Sequence, residues 1–210
     1  MVASRHPASG DEPDRGVAGV KLWDAVLGRK RPIRADLDAL FALPSAAITL
    51  QASGYSPTGV GSVCYRSAEG VAFAQTQTDI VALLDADDGP AVEQRRDDFG
   101  FTWLVVRHDP ADLAGLVTDV HAVNTTLEAQ GFGPGLLCSL VGFSDPTGRA
   151  IGLVYLYKQG TFYPFVPAGS GGGQQRDNLA EIAIRDLVGE DLPVEPQLSR
   201  WMPVWGAPGL

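Results

Sequence analysis

The sequence has few cysteines and histidines, residues that commonly bind transition metals and act as nucleophiles or bases in catalysis. It holds two cysteines, Cys64 and Cys138, and three histidines, His6, His108 and His121. No His-Glu-x-x-His motif occurs, and neither cysteine has a partner at the spacing typical of a zinc site. Gly-x-Ser-x-Gly and P-loop motifs are also absent. These absences predict a protein that is not an enzyme of a recognised class and has no metal or cofactor.

The residues that could still form a reactive site have simpler interpretations. Cys64 and Cys138 each lie in an apolar stretch typical of a strand. We therefore expect two reduced core cysteines, with a disulfide or a metal site as the remaining alternatives. Asp97 and Asp98 could be paired carboxylates, but they follow two arginines at an expected hairpin turn. A solvated charge cluster is the interpretation that this setting favours.

Long apolar runs and a signal peptide are missing as well. No apolar stretch approaches the roughly 18–20 residues that cross a bilayer. Residues 1–19 are polar, are interrupted by glycine and proline, and contain no apolar h-region. The sequence therefore predicts a cytoplasmic protein with a disordered leader over residues 1–19.

Acidic residues outnumber basic ones, but unevenly. The net charge is −9, and residues 35–210 hold nine basic and twenty-one acidic residues. Such a body repels phosphates, so no nucleic-acid partner is expected. Residues 21–34 are the exception, with five basic residues and one acidic residue.

Residues 20–34 are expected to form a short, basic, amphipathic helical segment. Apolar residues, Trp23 among them, recur there at helical spacing. A tryptophan beside a basic cluster is typical of a weak contact with an anionic membrane surface. The expected membrane-contact residues are Trp23, Arg29, Lys30, Arg31 and Arg34. The alternative, that Trp23 docks on the domain, stays open.

Residues 35–190 predict an α+β body, an antiparallel sheet packed by helices. Strands are expected at 46–51, 60–66, 71–75, 136–143, 151–158 and 160–165, with a hairpin over 94–107. Helices are expected at 37–42, at 76–84, from Asp109 as N-cap to about Gln130, and from Asp177 or Asn178 to Val188. The body could consist of two halves, about 35–92 and 93–190, because residues 36–84 and residues 110–188 are each expected to have the order helix, three strands, helix.

Residues 191–210 predict an extended tail rich in proline and tryptophan. Exposing two large aromatic rings on a free tail would be costly. We therefore expect Trp201 and Trp205 to pack back on the body, with contact to a partner as the alternative.

One functional alternative needs a pocket. An enzyme of unrecognised class or a sensor of a small ligand would require convergent polar groups in a concave site. The sequence offers five candidates for such a pocket: His121, Asn124, Tyr155, Lys158 and Tyr163.

Several stretches resemble the PspAB family of PspA-associated proteins. The similar stretches are Leu22-Trp-Asp-Ala-Val-Leu-Gly-Arg29, Gly61-Ser-Val-Cys-Tyr-Arg66, His121-Ala-Val-Asn-Thr-Thr-Leu-Glu128, Val154-Tyr-Leu-Tyr-Lys-Gln-Gly-Thr-Phe-Tyr-Pro-Phe165 and Pro203-Val-Trp-Gly-Ala-Pro-Gly-Leu210. The resemblance covers about residues 21–210, so residues 1–20 are expected to be an extra extension or the result of a start codon assigned too early.

The resemblance implies partners rather than chemistry. It implies association with PspA, a coiled-coil membrane-stress protein, and with an HtpX-like membrane zinc protease. It carries over no catalytic residues. The implied function is a non-enzymatic adaptor in a phage-shock type envelope-stress response, cytoplasmic or peripheral at the inner face of the membrane. The order of elements also resembles the YbjN and type III secretion chaperone fold, a likeness that says little about function.

Overall fold

Apolar residues on both sides of the strands build a sheet with two buried faces. The computed structural model describes residues 35–86, 89–168 and 174–210. These residues form six strands: β1 Ser56–Tyr65, β2 Glu93–Arg96, β3 Thr102–Arg107, β4 Leu136–Ser144, β5 Ala150–Leu156 and β6 Thr161–Phe165. The strands pair in antiparallel fashion in the order β2-β3-β1-β4-β5-β6. The predicted α+β class with an antiparallel sheet is confirmed.

Four helices pack against the first face of this sheet. They are α1 Leu43–Ala52, α2 Val71–Leu84, α3 Leu113–Ala129 and α4 Asn178–Val188, and a 3-10 helix, Leu37–Ala42, leads into α1. Because side chains alternate along a strand, Val63 and Tyr65 of β1 face these helices, while Cys64 faces the opposite way. The sheet therefore separates a large helix-side core from a smaller second core.

Two expected strands are helices. Residues 46–51 belong to α1, and residues 71–75 form the first part of α2. As a result, residues 37–84 have the order helix, strand, helix, whereas residues 113–188 have the order helix, three strands, helix. The order of elements is not repeated, and β1 lies between β3 and β4 in one continuous sheet.

The long helix α3 begins three residues later than expected. Asp112, and not Asp109, is its N-cap, and its side chain accepts a hydrogen bond from the Gly115 amide at 2.9 Å. Asp109 instead accepts from the Ala111 amide at 2.8 Å in the preceding turn. Both aspartates satisfy backbone donors that the start of a helix would otherwise leave unpaired.

The C-terminal residues cross the second face of the sheet. They first pair with the edge strand β6, where the Phe162 amide donates to the Pro193 carbonyl at 2.8 Å and the Glu195 amide donates to the Phe162 carbonyl at 2.7 Å. Beyond this edge the chain turns over the face that the four helices leave open. We call residues 193–210 the tail strap.

Both tryptophans of the tail strap pack back on the body, as the favoured interpretation predicts. Trp201 stacks on Tyr163 of β6, with ring centroids 5.9 Å apart, and is only 5% exposed. Trp205 lies edge-on to Phe165 at 4.9 Å and is partly buried. The ring of Trp201 thus has almost no free surface for a partner, whereas Trp205 keeps some.

The end of the tail strap lies directly on the strands. A Cβ atom added to Gly142 of β4 would lie 2.7 Å from the Gly209 carbonyl oxygen, closer than such atoms pack. The Ser62 hydroxyl of β1 donates to the Pro208 carbonyl at 3.1 Å. A residue without a side chain at position 142 therefore allows this close approach.

The leader over residues 1–19 and the basic segment 20–34, with Trp23, Arg29, Lys30, Arg31 and Arg34, lie outside the described residues. The predictions made for them stay predictions.

Candidate interaction site

An apolar pocket of about 330 Å³ opens between the tail strap and the second face of the sheet. Its floor and walls come from β1, β3, β4, β6 and the tail strap, through Cys64, Trp103, Cys138, Tyr163 and Trp205. These residues lie far apart in the sequence. Strand pairing brings the first four together, and Trp205 joins them where the tail strap crosses the sheet.

Two large apolar side chains stand at this pocket and remain open to solvent. Phe99, in the turn between β2 and β3, is 73% exposed, and Met202 of the tail strap is 60% exposed. Contiguous apolar surface beside a concavity is typical of an interaction site. We call Phe99, Met202 and the pocket between them the strap pocket.

Asp97 holds one wall of the strap pocket in place. Its carboxylate accepts hydrogen bonds from the amides of Phe99 and Phe101 at 3.0 and 2.9 Å, and from the indole nitrogen of Trp103 at 3.0 Å. The expected solvated charge cluster is therefore wrong for Asp97, which organises the hairpin turn and orients the Trp103 ring. Asp98 is an exposed turn residue.

Cys64 and Cys138 lie side by side at the floor of the strap pocket. They are direct partners in the pairing of β1 with β4, and both are free and buried, as predicted. A hydrogen bond with Cys138, together with burial, raises the pKa of the Cys64 thiol well above its ordinary value. Cys64 is therefore protonated at neutral pH.

A buried ion pair fastens the tail strap to helix α4. Glu181, in the first turn of α4, accepts from the Val166 amide at 3.0 Å and from Arg176 Nε at 2.9 Å. The same guanidinium donates to the Trp201 carbonyl and lies 5.1 Å from the centre of the Phe165 ring. Arg176 thus connects the helix side of the molecule with the strap side.

A second polar cluster lies at the start of α3. His108 Nδ1 is 3.0 Å from Asp112 and Nε2 is 2.7 Å from Asp119. Burial opposes the charged imidazole, but the hydrogen bonds with Asp119 and Asp112 outweigh it and raise the His108 pKa. Two carboxylates already occupy both ring nitrogens, so this histidine joins two turns of the helix and presents no free nitrogen to a ligand.

Three of the five residues considered for a ligand pocket serve the helix side of the fold. Asn124 is fully buried, and its amide donates to Ser139 Oγ at 2.8 Å. The Tyr155 hydroxyl donates to the Asp36 carbonyl at 2.8 Å. His121 Nε2 lies 3.3 Å from an Asp38 carboxylate oxygen.

The other two residues point elsewhere. Tyr163 faces the tail strap, and its hydroxyl donates to the Met202 carbonyl at 2.7 Å. Lys158 is exposed in the turn after β5. The structure therefore does not gather the five side chains, and of these only Tyr163 lines the strap pocket.

Two further findings concern the described ranges, residues 35–86, 89–168 and 174–210. Within them, no group of three or more His, Cys, Asp and Glu residues could hold a metal ion. No helix there has the length and hydrophobicity needed to cross a membrane.

The chain matches a known protein family. The family model of PspA associated protein B, PspAB, matches residues 20–209, nearly the whole chain. No curated protein and no solved structure matches. The match includes every strand, the four helices and almost all of the tail strap that forms the strap pocket. The chain therefore belongs to the PspAB family of PspA-associated proteins.

Proposed function

We propose that this chain is a non-enzymatic adaptor that binds a PspA-like coiled-coil protein through the strap pocket. Membership of a family described as PspA-associated supports the partner. The strap pocket supports the place of contact, because it joins a cavity of about 330 Å³ to two large exposed apolar side chains.

A coiled-coil helix has the chemistry that such a site recognises. Its apolar side chains recur on one face and insert as knobs into recesses of a facing surface. Amphipathic helices use the same side chains when they bind an apolar groove. Phe99 and Met202 would flank an inserted side chain, and the rings of Trp103 and Trp205 would line the recess.

The test is a binding measurement with two strap-pocket substitutions. We expect Phe99→Ser together with Met202→Ser to weaken binding to a purified PspA-like protein at least about tenfold, because each substitution removes apolar surface that the complex would bury. Both side chains are largely exposed in the free chain, so its melting temperature should hardly change. Isothermal titration calorimetry gives the affinity.

The matched control is Val71→Ser. Val71 is 86% exposed and lies on α2, which packs on the other face of the sheet. This substitution therefore removes an exposed apolar side chain far from the strap pocket. We expect this variant to bind like the unaltered chain. Equal weakening by the control, or unchanged binding of the double variant, would contradict the strap pocket as the PspA site.

A small-ligand sensor is the second candidate, and the strap pocket is also the observation that favours it. Pockets for small molecules occupy about 300–1,000 Å³ and are mostly apolar. Only Tyr163 among the five polar candidates lines this one, and its hydroxyl already donates to a backbone carbonyl. If the double variant binds PspA as the unaltered chain does, a small-ligand sensor becomes the favoured function of the strap pocket.

In this proposal the adaptor also associates with an HtpX-like membrane protease and contacts the inner face of the membrane. It does so within a phage-shock type envelope-stress response. The basic segment motivates the membrane contact, since each basic residue near an anionic surface contributes about 1 kcal/mol. The acidic body opposes that attraction within about a Debye length. Membrane contact and PspA binding together would hold the chain more firmly than either alone.

Liposome flotation tests the membrane contact. We expect the full chain to float with vesicles rich in anionic lipid at low salt, and replacement of Arg29, Lys30 and Arg31 by Ala to abolish flotation. The control replaces Arg95, Arg96 and Arg185 by Ala, which removes the same charge from two exposed positions and one half-exposed position of the body. Flotation that persists without the three segment residues, or that the control abolishes equally, would refute the contact.

A further inference from the structure

Cys64 and Cys138 are placed as a pair that can react with each other. They are direct register partners on the antiparallel strands β1 and β4. Both belong to the core on the strap side of the sheet and line the strap pocket. Solvent and small molecules can reach this pocket beside Phe99 and Met202, whose side chains are largely exposed. A small oxidant therefore has a route to both thiols.

The spacing of opposed residues suits a disulfide. In an antiparallel pair, opposed Cα atoms lie about 4.5 or 5.5 Å apart, depending on the type of pair. Both values fall in the range of about 4.4–6.8 Å that disulfides require. The register also shifts directly after Cys64, because Tyr65 pairs with Leu136 and leaves Leu137 without a partner on β1. A bulge of this kind interrupts the ladder locally, bends the bulged strand and increases its twist.

We propose that Cys64 and Cys138 form a reversible oxidation site that closes to an intramolecular disulfide when a hydroperoxide enters the strap pocket. One thiolate attacks the terminal peroxide oxygen, the O–O bond breaks, and a sulfenic acid and an alcohol, or water, result. The second thiol attacks that sulfur, the S–O bond breaks, and a water molecule leaves as the S–S bond forms. Two thiols lose two electrons in total, and the peroxide gains them.

The second thiol is what makes the modification reversible. A lone sulfenic acid proceeds to sulfinic acid, which most cells cannot reverse, whereas an adjacent thiol captures it as a disulfide. Thiols and small dithiols can then reduce that bond by exchange. The new bond would also replace two thiols by a rigid link at the floor of the strap pocket.

The amount of thiolate in the pair sets the rate of its oxidation by peroxide. The hydrogen bond with Cys138 and the burial of the site raise the pKa of Cys64, so little thiolate is present at neutral pH. Only the thiolate attacks peroxide, so oxidation should be slow near pH 7 and accelerate as pH rises. This dependence separates the pair from the fast, acidic thiols of catalytic redox enzymes.

Intact-mass analysis of the full chain tests the proposal. After incubation with hydrogen peroxide and alkylation under denaturing conditions, we expect a monomer about 2 mass units lighter that takes up no alkylating agent, and recovery of both thiols after dithiothreitol. Digestion should yield one peptide pair joined through residues 64 and 138. The yield should not depend on protein concentration and should increase with pH.

Two single-cysteine variants complete the design. Cys64→Ala and Cys138→Ala should each lack the cross-linked product and should accumulate sulfenic or sulfinic acid instead. Because the mapping of the unaltered chain does not require the variants, a variant that fails to fold leaves the test intact. Independent oxidation of the two thiols in the unaltered chain, disulfide-linked dimers as the main product, or two thiols that stay reduced at high pH would each overturn the proposal.

Discussion

Replacing Glu181 by Ala is expected to lower the free energy of unfolding by about 3–5 kcal/mol, because breaking a buried ion pair leaves its partner charge without compensation. The Glu181 carboxylate is almost fully buried and accepts from both the Val166 amide and Arg176. The substitution leaves the buried Val166 amide without its acceptor. It also leaves the Arg176 guanidinium, whose side chain is only 19% exposed, without its carboxylate partner. Urea unfolding followed by circular dichroism measures the change.

The same helix supplies the control. Asp186 pairs with Arg185 on the exposed side of α4, at 2.7 Å. Exposed pairs of this kind contribute about 0–1 kcal/mol, so Asp186→Ala should hardly change the unfolding free energy. A loss under about 1 kcal/mol for Glu181→Ala, or equal losses for the two variants, would show that the buried pair does not stabilise the fold.

The segment that forms α1 contains signals for both a strand and a helix. Its sequence contains Ile48 and Thr49, β-branched residues that favour a strand. However, the buried residues Leu43, Ala46, Ala47 and Leu50 follow the i, i+3, i+4, i+7 spacing of one helical face. Ile48 lies on the opposite face and is 70% exposed. Spacing over the whole segment was therefore the better signal than the propensity of a few residues.

A proline close behind the segment 37–42 is a further signal that favours the end of a helix there. In the structure Pro44 instead lies in the first turn of α1, directly after the 3-10 helix. Proline is tolerated in the first turn of a helix, where its missing amide would be unpaired anyway. Pro44 therefore begins a helix here as much as it ends one.

The strands from β3 to β6 were predictable because both faces of the sheet are buried. Dense apolar runs such as Leu136 to Phe143 leave few alternatives to a central strand, and the turn Asp145 to Gly148 separates two of them clearly. The last helix was predictable from its cap, since the Asp177 carboxylate accepts from the Ala180 amide at 3.0 Å.

The strap pocket could not be predicted from any local pattern. Its residues come from five strands, a hairpin turn and the tail strap, and none of these segments carries a recognisable motif. The two tail tryptophans were the available signal, because their size required a surface to pack on. They did not indicate which face of the sheet would receive them, nor that two thiols would lie beneath.

The second large effect is expected at Trp201. Trp201→Ala should lower the free energy of unfolding by about 3–5 kcal/mol, the usual cost of truncating a buried large aromatic residue. The substitution removes the stacking on Tyr163 and the hydrogen bond from the indole nitrogen to the Glu195 carbonyl at 2.9 Å. Met202→Ala, one residue along and largely exposed, should cost about 0.5 kcal/mol or less.

The two large effects should not add. Arg176 donates to the Trp201 carbonyl and pairs with Glu181, so each substitution disturbs a partner of the same guanidinium. Residues that share a network typically show a coupling of about 0.5–3 kcal/mol. The double variant Glu181→Ala with Trp201→Ala should therefore lose less unfolding free energy than the sum of the two single losses. The difference should be about 0.5–3 kcal/mol. Losses that add would mean that the tail strap and α4 are fastened independently, and that Arg176 does not couple them.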